Sequence, residues 1–147
     1  MADALRTDPA QLMELLSVAL GAYYGDFTVA AASENLTASQ GKTLTVLRRR
    51  PASMRALAEV LTCDASNVTG IINRLEKRGL VRRETSESDR RVTTLVLTPE
   101  GERVTDAIRA KMNATRAGLD RLSEDERELL SGLLKRVFFP PRDAPAE

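Results

Sequence analysis

Leu12, Leu15, Leu16, Ala19, Leu20, Tyr23, Phe27 and Ala31 recur three or four residues apart, the spacing that lines one side of an α-helix. Asp8 before Pro9 supplies the start: a side-chain acceptor for free backbone N–H groups, then a residue whose locked φ suits the first helical position. A first helix over residues 8–33 follows. Thr37 with Gln40 predicts a capping box for a second helix, with Leu44 and Leu47 on its inner face, the basic triplet Arg48, Arg49, Arg50 at its end and Pro51 as its stop. Ser53 caps a short third helix whose inner face is Leu57, Ala58 and Leu61. The turn "TCDAS" then leads to Asp64 as the next cap, and a fourth helix is predicted from about Ala65 to Arg78, stopped by Gly79.

The period changes after that glycine. "LVRRE" and "VTTLVL" have strand composition, and "TSESDRR" between them is the polar loop of a hairpin. Thr98 and Pro99 repeat the cap-plus-proline signal and predict a long fifth helix with Val104, Ala107, Ile108, Met112, Thr115 and Leu119 on one side. Ser123 with Glu126 forms a second capping box, and Leu129, Leu130, Leu133, Leu134, Val137 and Phe138 make the stripe of a sixth helix. The tail "PPRDAPAE", residues 140–147, is expected to be flexible. The predicted fold is mainly α with a small β-hairpin. It comprises a winged helix-turn-helix lobe over 36–98 and apolar helices at either end, 8–33 and 99–139, within a single domain. Those terminal stripes exceed what so small a lobe needs to cover itself, which predicts burial against a second copy, with packing within the chain as a helical appendage as the alternative.

Composition narrows the function. At 147 residues with 42% apolar content the chain suits one domain. Its apolar runs are shorter than the roughly 20 residues that cross a bilayer, and 1–10 lack the layout of a signal peptide, so a cytoplasmic protein without membrane partners is expected. One cysteine excludes an internal disulfide, and the absence of histidine removes the usual neutral-pH base and metal ligand. With no phosphate-binding loop or nucleophile motif either, the chain is not expected to be an enzyme, to bind a metal or to carry a cofactor.

The net charge of +1 conceals a strong segregation. Residues 42–91 hold twelve Lys and Arg against six Asp and Glu, a balance of +6, while the remainder stands at −5. Such a block suits a polyanion, because phosphate neutralisation is local and releases counterions. An ordinary solvated basic surface is the competing explanation.

The fourth helix carries the sharper signal. With Val68, Ile71, Ile72 and Leu75 turned to the core, Ser66, Asn67, Thr69, Gly70, Asn73 and Arg74 are left outside. Short hydroxyl and amide side chains near a helix start reach base edges, and glycine lets the backbone come close. Arg74, Lys77 and the start of the third helix at Ser53 and Arg55 are then placed to hold phosphates. A plain amphipathic helix with a polar exterior is the alternative.

The segments "LTASQGKTLTVL", "SMRALAEVLTCDASNVTGIINRLEKRGLVRR" and "DRRVTTLVLTPEG" resemble the MarR family of bacterial winged-helix transcriptional regulators. The last holds the family's D-x-R pattern as Asp89, Arg90 and Arg91. The resemblance implies a homodimer built from the terminal helices, recognition helices in successive major grooves and wings toward the minor grooves. It further implies a pseudo-palindromic operator, usually a repressor's role, and often release by a small molecule. On this view Arg91, with Arg90, enters a narrow minor groove whose potential attracts guanidinium groups, while Asp89 pairs with a neighbouring arginine to shape the wing. Because effectors such as aromatic acids lie between dimerisation helices and DNA lobe in the family, Tyr23, Tyr24 and Phe27 are placed to line such a site, with core packing as their other role. Cys63, in the turn of the helix-turn-helix, lies away from the position used by peroxide-sensing relatives and is read as a small apolar residue, with oxidant sensing as the alternative. A winged helix that binds proteins instead of DNA is the alternative function.

Overall fold

The computed structural model describes residues 8–85 and 93–139. Local capping chemistry sets the helix starts as expected. Helix α1 (Pro9–Ser33) begins where the Asp8 side chain accepts from Ala10 N–H. Helix α2 (Ala38–Arg49) has both halves of the Thr37–Gln40 capping box, and α3 (Met54–Leu61) starts where Ser53 Oγ accepts from Ala56 N–H. Helix α4 (Ala65–Lys77) is capped by Asp64, with Arg78 closing it and Gly79 leaving at φ 68°, a left-handed conformation that glycine adopts without a Cβ penalty. The turn between α3 and α4 passes through Thr62 at φ 53°, an unusual value for a β-branched residue.

Strands β1 (Val81–Thr85) and β2 (Thr93–Leu97) pair antiparallel, with Val81 opposite Leu97 and Arg83 opposite Leu95. Leu95 also exchanges both backbone hydrogen bonds with Ala52, so the segment between α2 and α3 adds a one-residue bridge to the far edge of the hairpin. The turn of the wing, and with it Asp89, Arg90 and Arg91, lies outside the described residues, as does the tail 140–147.

The predicted long fifth helix is two helices. Helix α5 (Pro99–Lys111) ends at Met112, whose ψ of 67° breaks the helical run, and α6 (Asn113–Asp120) follows at once. The apolar spacing runs through the break because one non-helical residue scarcely shifts the count. The local chemistry agrees with an ending there, since Asn113 has an amide that competes for backbone hydrogen bonds. Met112 itself is buried. Helix α7 (Glu124–Phe138) has the full Ser123–Glu126 capping box.

The chain divides after Met112 into two units. In the first, α2 is central, packed by α1, α3, α4, α5 and β2. The core runs from Phe27, Ala30 and Ala31 of α1 through Leu44, Leu47, Leu57, Val68, Ile72, Leu75 and Leu95 to Val104 and Ile108 of α5. Full burial of such a side chain stabilises by about 1.5–3 kcal/mol, so this set pins α4 and the hairpin to one frame. The second unit, α6 and α7, has no buried residue in either helix. Most of α1 before Phe27 is exposed too, including Leu12, Met13, Leu15 and Val18. By length and composition alone α1 could also cross a membrane, a property hidden from a count of uninterrupted apolar runs because Glu14 and small polar residues punctuate it.

Candidate nucleic-acid interface

Helix α4 presents its polar face because the opposite face is locked. Val68, Ile72 and Leu75 are fully buried and Ile71 nearly so, while Ser66, Asn67, Thr69, Asn73, Arg74 and Lys77 are exposed and Gly70 is half-covered. The first turn is tied by Asp64, whose Oδ1 accepts from Asn67 N–H at 2.9 Å and from Ser66 Oγ at 2.7 Å. These two bonds, the backbone one first, hold the Asp64 carboxyl below its ordinary pKa. Thr69 Oγ1 donates to Ala65 O at 2.8 Å, so the hydroxyl protons of Ser66 and Thr69 are engaged within the turn and their oxygens remain as acceptors. Nothing stands within 4 Å of where a Cβ on Gly70 would lie, so the surface there is open.

The predicted residues divide among three directions. Ser66, Gly70, Asn73 and Lys77 follow one another at three- and four-residue steps and share the outer stripe. Thr69 turns to the α3 side, where it shares a concavity with Arg55, Met54, Ala58, Ala65 and Arg83. Asn67 and Arg74 turn the other way and line a cavity of about 350 Å³ with Tyr24, Phe27, Lys42 and Cys63. Ser53 is occupied as the α3 cap, and Arg55 pairs with Glu59 at 3.3 Å in full exposure, a contact weak enough for a phosphate to replace.

Several cations of the basic block serve the fold instead. Arg48 donates to Asp106 of α5 at 2.8 Å. Arg78 donates to Glu34 O at 3.0 Å and Asn35 O at 2.8 Å, tying the end of α4 to the end of α1. Arg83 on β1 places its Nε 3.1 Å from both carboxylate oxygens of Glu76 and its Nη2 3.3 Å from Asn73 Oδ1. The sequence reading missed Arg83. Its signal was parity: it shares a strand face with the buried Val81, so it points toward α4.

The aromatic residues of α1 do gather at cavities. Phe27 is buried and Tyr23 and Tyr24 are roughly half exposed. The Tyr23 ring meets Tyr24 edge-on at 5.7 Å and stacks with Phe27 at 6.5 Å. All three, with Lys42, Thr45, Val46, Arg49 and Val60, line a second cavity of about 260 Å³ beside the first. Cys63 is half-buried, lines the larger one and packs against the core.

A family model described as "MarR family" matches residues 36–93. A Thauera aromatica protein named "Putative transcriptional regulatory protein for hcr operon" is 35% identical over 122 residues, covering 78% of this chain and 74% of that protein. The transcriptional regulator MgrA of Staphylococcus aureus is 31% identical over 105 residues, 71% of each chain. Among solved structures, CouR from Rhodococcus jostii RHA1 bound to p-coumaroyl-CoA superposes with a TM-score of 0.71 at 26% identity, covering 97% of this chain and 99% of that one.

Proposed function

This chain belongs to the MarR family and is a DNA-binding transcriptional regulator, and on that premise we propose that it works as a homodimeric repressor released by an aromatic anion. The observation that carries the DNA reading is the outer stripe of α4, held outward by a fully buried opposite face. Ser66, Thr69, Gly70 and Asn73 approach bases, with Asn67 at the cavity-side margin of the same surface. Lys77 and Arg74, with Ser53 and Arg55 at the start of α3, hold phosphates. By the D-x-R pattern alone, Arg90 and Arg91 are assigned to the minor groove and Asp89 to pairing with a neighbouring arginine. Twofold symmetry sets two α4 helices roughly 34 Å apart, one turn of B-DNA.

Dimerisation is supported by the apolar exposure of both terminal segments, α1 with Leu12, Leu15 and Val18 and α7 with Leu129, Leu133 and Val137. The effector reading is supported by two adjoining cavities that combine Tyr23, Tyr24 and Phe27 with the cations Lys42, Arg49 and Arg74. That chemistry suits an aromatic carboxylate or its CoA thioester, the class to which the ligand of CouR belongs. An anion drawn between Lys42 and Arg74 pulls on α4 directly, which connects ligand to DNA.

A gel-shift on fragments upstream of the protein's own gene tests the DNA reading, with salt varied. Saturable binding that weakens steeply with salt is expected, and p-coumaroyl-CoA should release the complex in the wild type but much less in Lys42→Ala. No salt-sensitive binding to any fragment would favour a protein-interaction module.

A further inference from the structure

The amide of Asn73 has two ends of opposite chemistry, and a neighbour on the wing decides which end faces outward. Arg83 Nη2 lies 3.3 Å from one amide atom while its Nε rests on both oxygens of Glu76 at 3.1 Å. A guanidinium carries donors and no acceptor, so the atom beside it is Oδ1 and the Nδ2 donors are turned away. The fork itself is well anchored. Glu76 lies one turn after Asn73 on α4, and Arg83 sits opposite the fully buried Leu95, which is bonded in turn to Ala52. Asn73 is thus oriented by two elements, a helix that carries it and a strand that holds its oxygen.

We propose that Arg83 is a positioning residue for base recognition: by holding Oδ1 of Asn73 it directs the Nδ2 donors into the groove and biases that contact toward base edges that only accept. Guanine offers N7 and O6, and thymine offers O4. Adenine is the base an asparagine ordinarily reads in two-point fashion, giving a hydrogen bond to N7 and taking one from N6. With Oδ1 turned toward Arg83 and one of its two lone pairs engaged there, the second of those bonds is weakened and adenine loses its advantage. The inference rests on α4 as the base-reading helix. It names Arg83 as the residue that couples the wing to that helix, and it makes specificity at one base pair depend on a side chain that need not touch DNA.

Binding preferences read from a randomised duplex pool test this with the full-length wild type, Arg83→Met, Arg83→Lys, Asn73→Ala and the double variant Arg83→Met/Asn73→Ala. Methionine keeps the stem without donors. Lysine keeps the charge and the pair with Glu76 but lacks the fork, and it gives the same readout if the methionine variant does not fold. In the wild type, one position per half-site should favour guanine or thymine over adenine, and Asn73→Ala should erase that preference. Both single Arg83 variants should move it toward adenine, by roughly tenfold for methionine. The double variant should match Asn73→Ala at that position. Arg83 variants that weaken all duplexes alike and flatten the salt dependence would make Arg83 a phosphate contact and overturn the proposal. So would an Arg83 effect that persists undiminished without Asn73. An Asn73→Ala profile identical to wild type would remove the base-reading role of Asn73 itself, and the proposal with it.

Discussion

Asp64 shows how one side chain can set the first turn of the helix proposed to read DNA. Its carboxylate closes the first turn of α4 through Asn67 N–H and Ser66 Oγ, and those bonds keep its pKa below the ordinary 3.8. A carboxyl depressed in the folded state contributes stability above its unfolded pKa and loses it as pH falls through the folded value. Asp64→Asn, which still caps but does not titrate, should therefore show a shallower fall in thermal midpoint than the wild type below about pH 4. Equal acid sensitivity of the two would refute the role. Lys77 lies on the outer stripe, and the proposed function assigns it to the electrostatic part of binding. Lys77→Ala should weaken all duplexes by a similar factor and lower the slope of log affinity against log salt by about one. A change confined to one DNA sequence would instead mean that it reads a base.

At the level of elements, the join between hairpin and α5 is closely fitted. Thr98 N–H donates to Leu80 O, Thr98 Oγ1 donates to Gly79 O at 2.6 Å, and Gly101 N–H donates back to Thr98 Oγ1 at 3.0 Å. The first turn of α5 is thereby pressed on the turn that ends α4. A Cβ on Gly101 would run into the Leu80 carbonyl, a backbone group that cannot rotate away. Gly101→Ala should cost about 1–3 kcal/mol in urea unfolding, larger than any helix-propensity gain from alanine. A neutral or stabilising result would show that the turn yields more readily than its hydrogen bonds suggest.

For the molecule as a whole, the apolar exposure of the terminal helices is the dominant unsatisfied feature. Leu133 on α7 is 46% exposed and lies among Leu129, Leu130, Val137 and Phe138, which are exposed as well. A single chain rarely leaves so much contiguous apolar surface in water. Sedimentation in the absence of detergent should give twice the chain mass of 16.1 kDa, and Leu133→Glu, which puts a charge in the middle of that apolar stripe, should shift it toward the monomer. Operator affinity should fall with it, because under the proposed function a monomer would bring one α4 to half a site. A wild type that sediments as a monomer while binding its operator fully would remove the dimer from the mechanism.

The amino-acid sequence alone determined the elements that obey local rules. Asp8, Thr37, Ser53, Asp64, Thr98 and Ser123 each cap the helix they were expected to cap, because an N-cap needs only a short acceptor and the N–H groups two or three residues on. Val68, Ile71, Ile72 and Leu75 are buried as their spacing required, since a 3.6-residue period admits one inner face. Local spacing could not locate the break at Met112, which depends on a single ψ angle that apolar periodicity does not encode. Nor could charge counting tell a DNA-facing cation from one that serves the fold. Arg48, Arg78 and Arg83 look alike in the basic block, yet each is committed to a partner brought near by tertiary packing: Asp106, the end of α1, and Glu76 with Asn73. Periodicity and capping are properties of neighbours along the chain, whereas the direction of a long flexible cation and the orientation of an amide are settled by groups that only folding brings within reach.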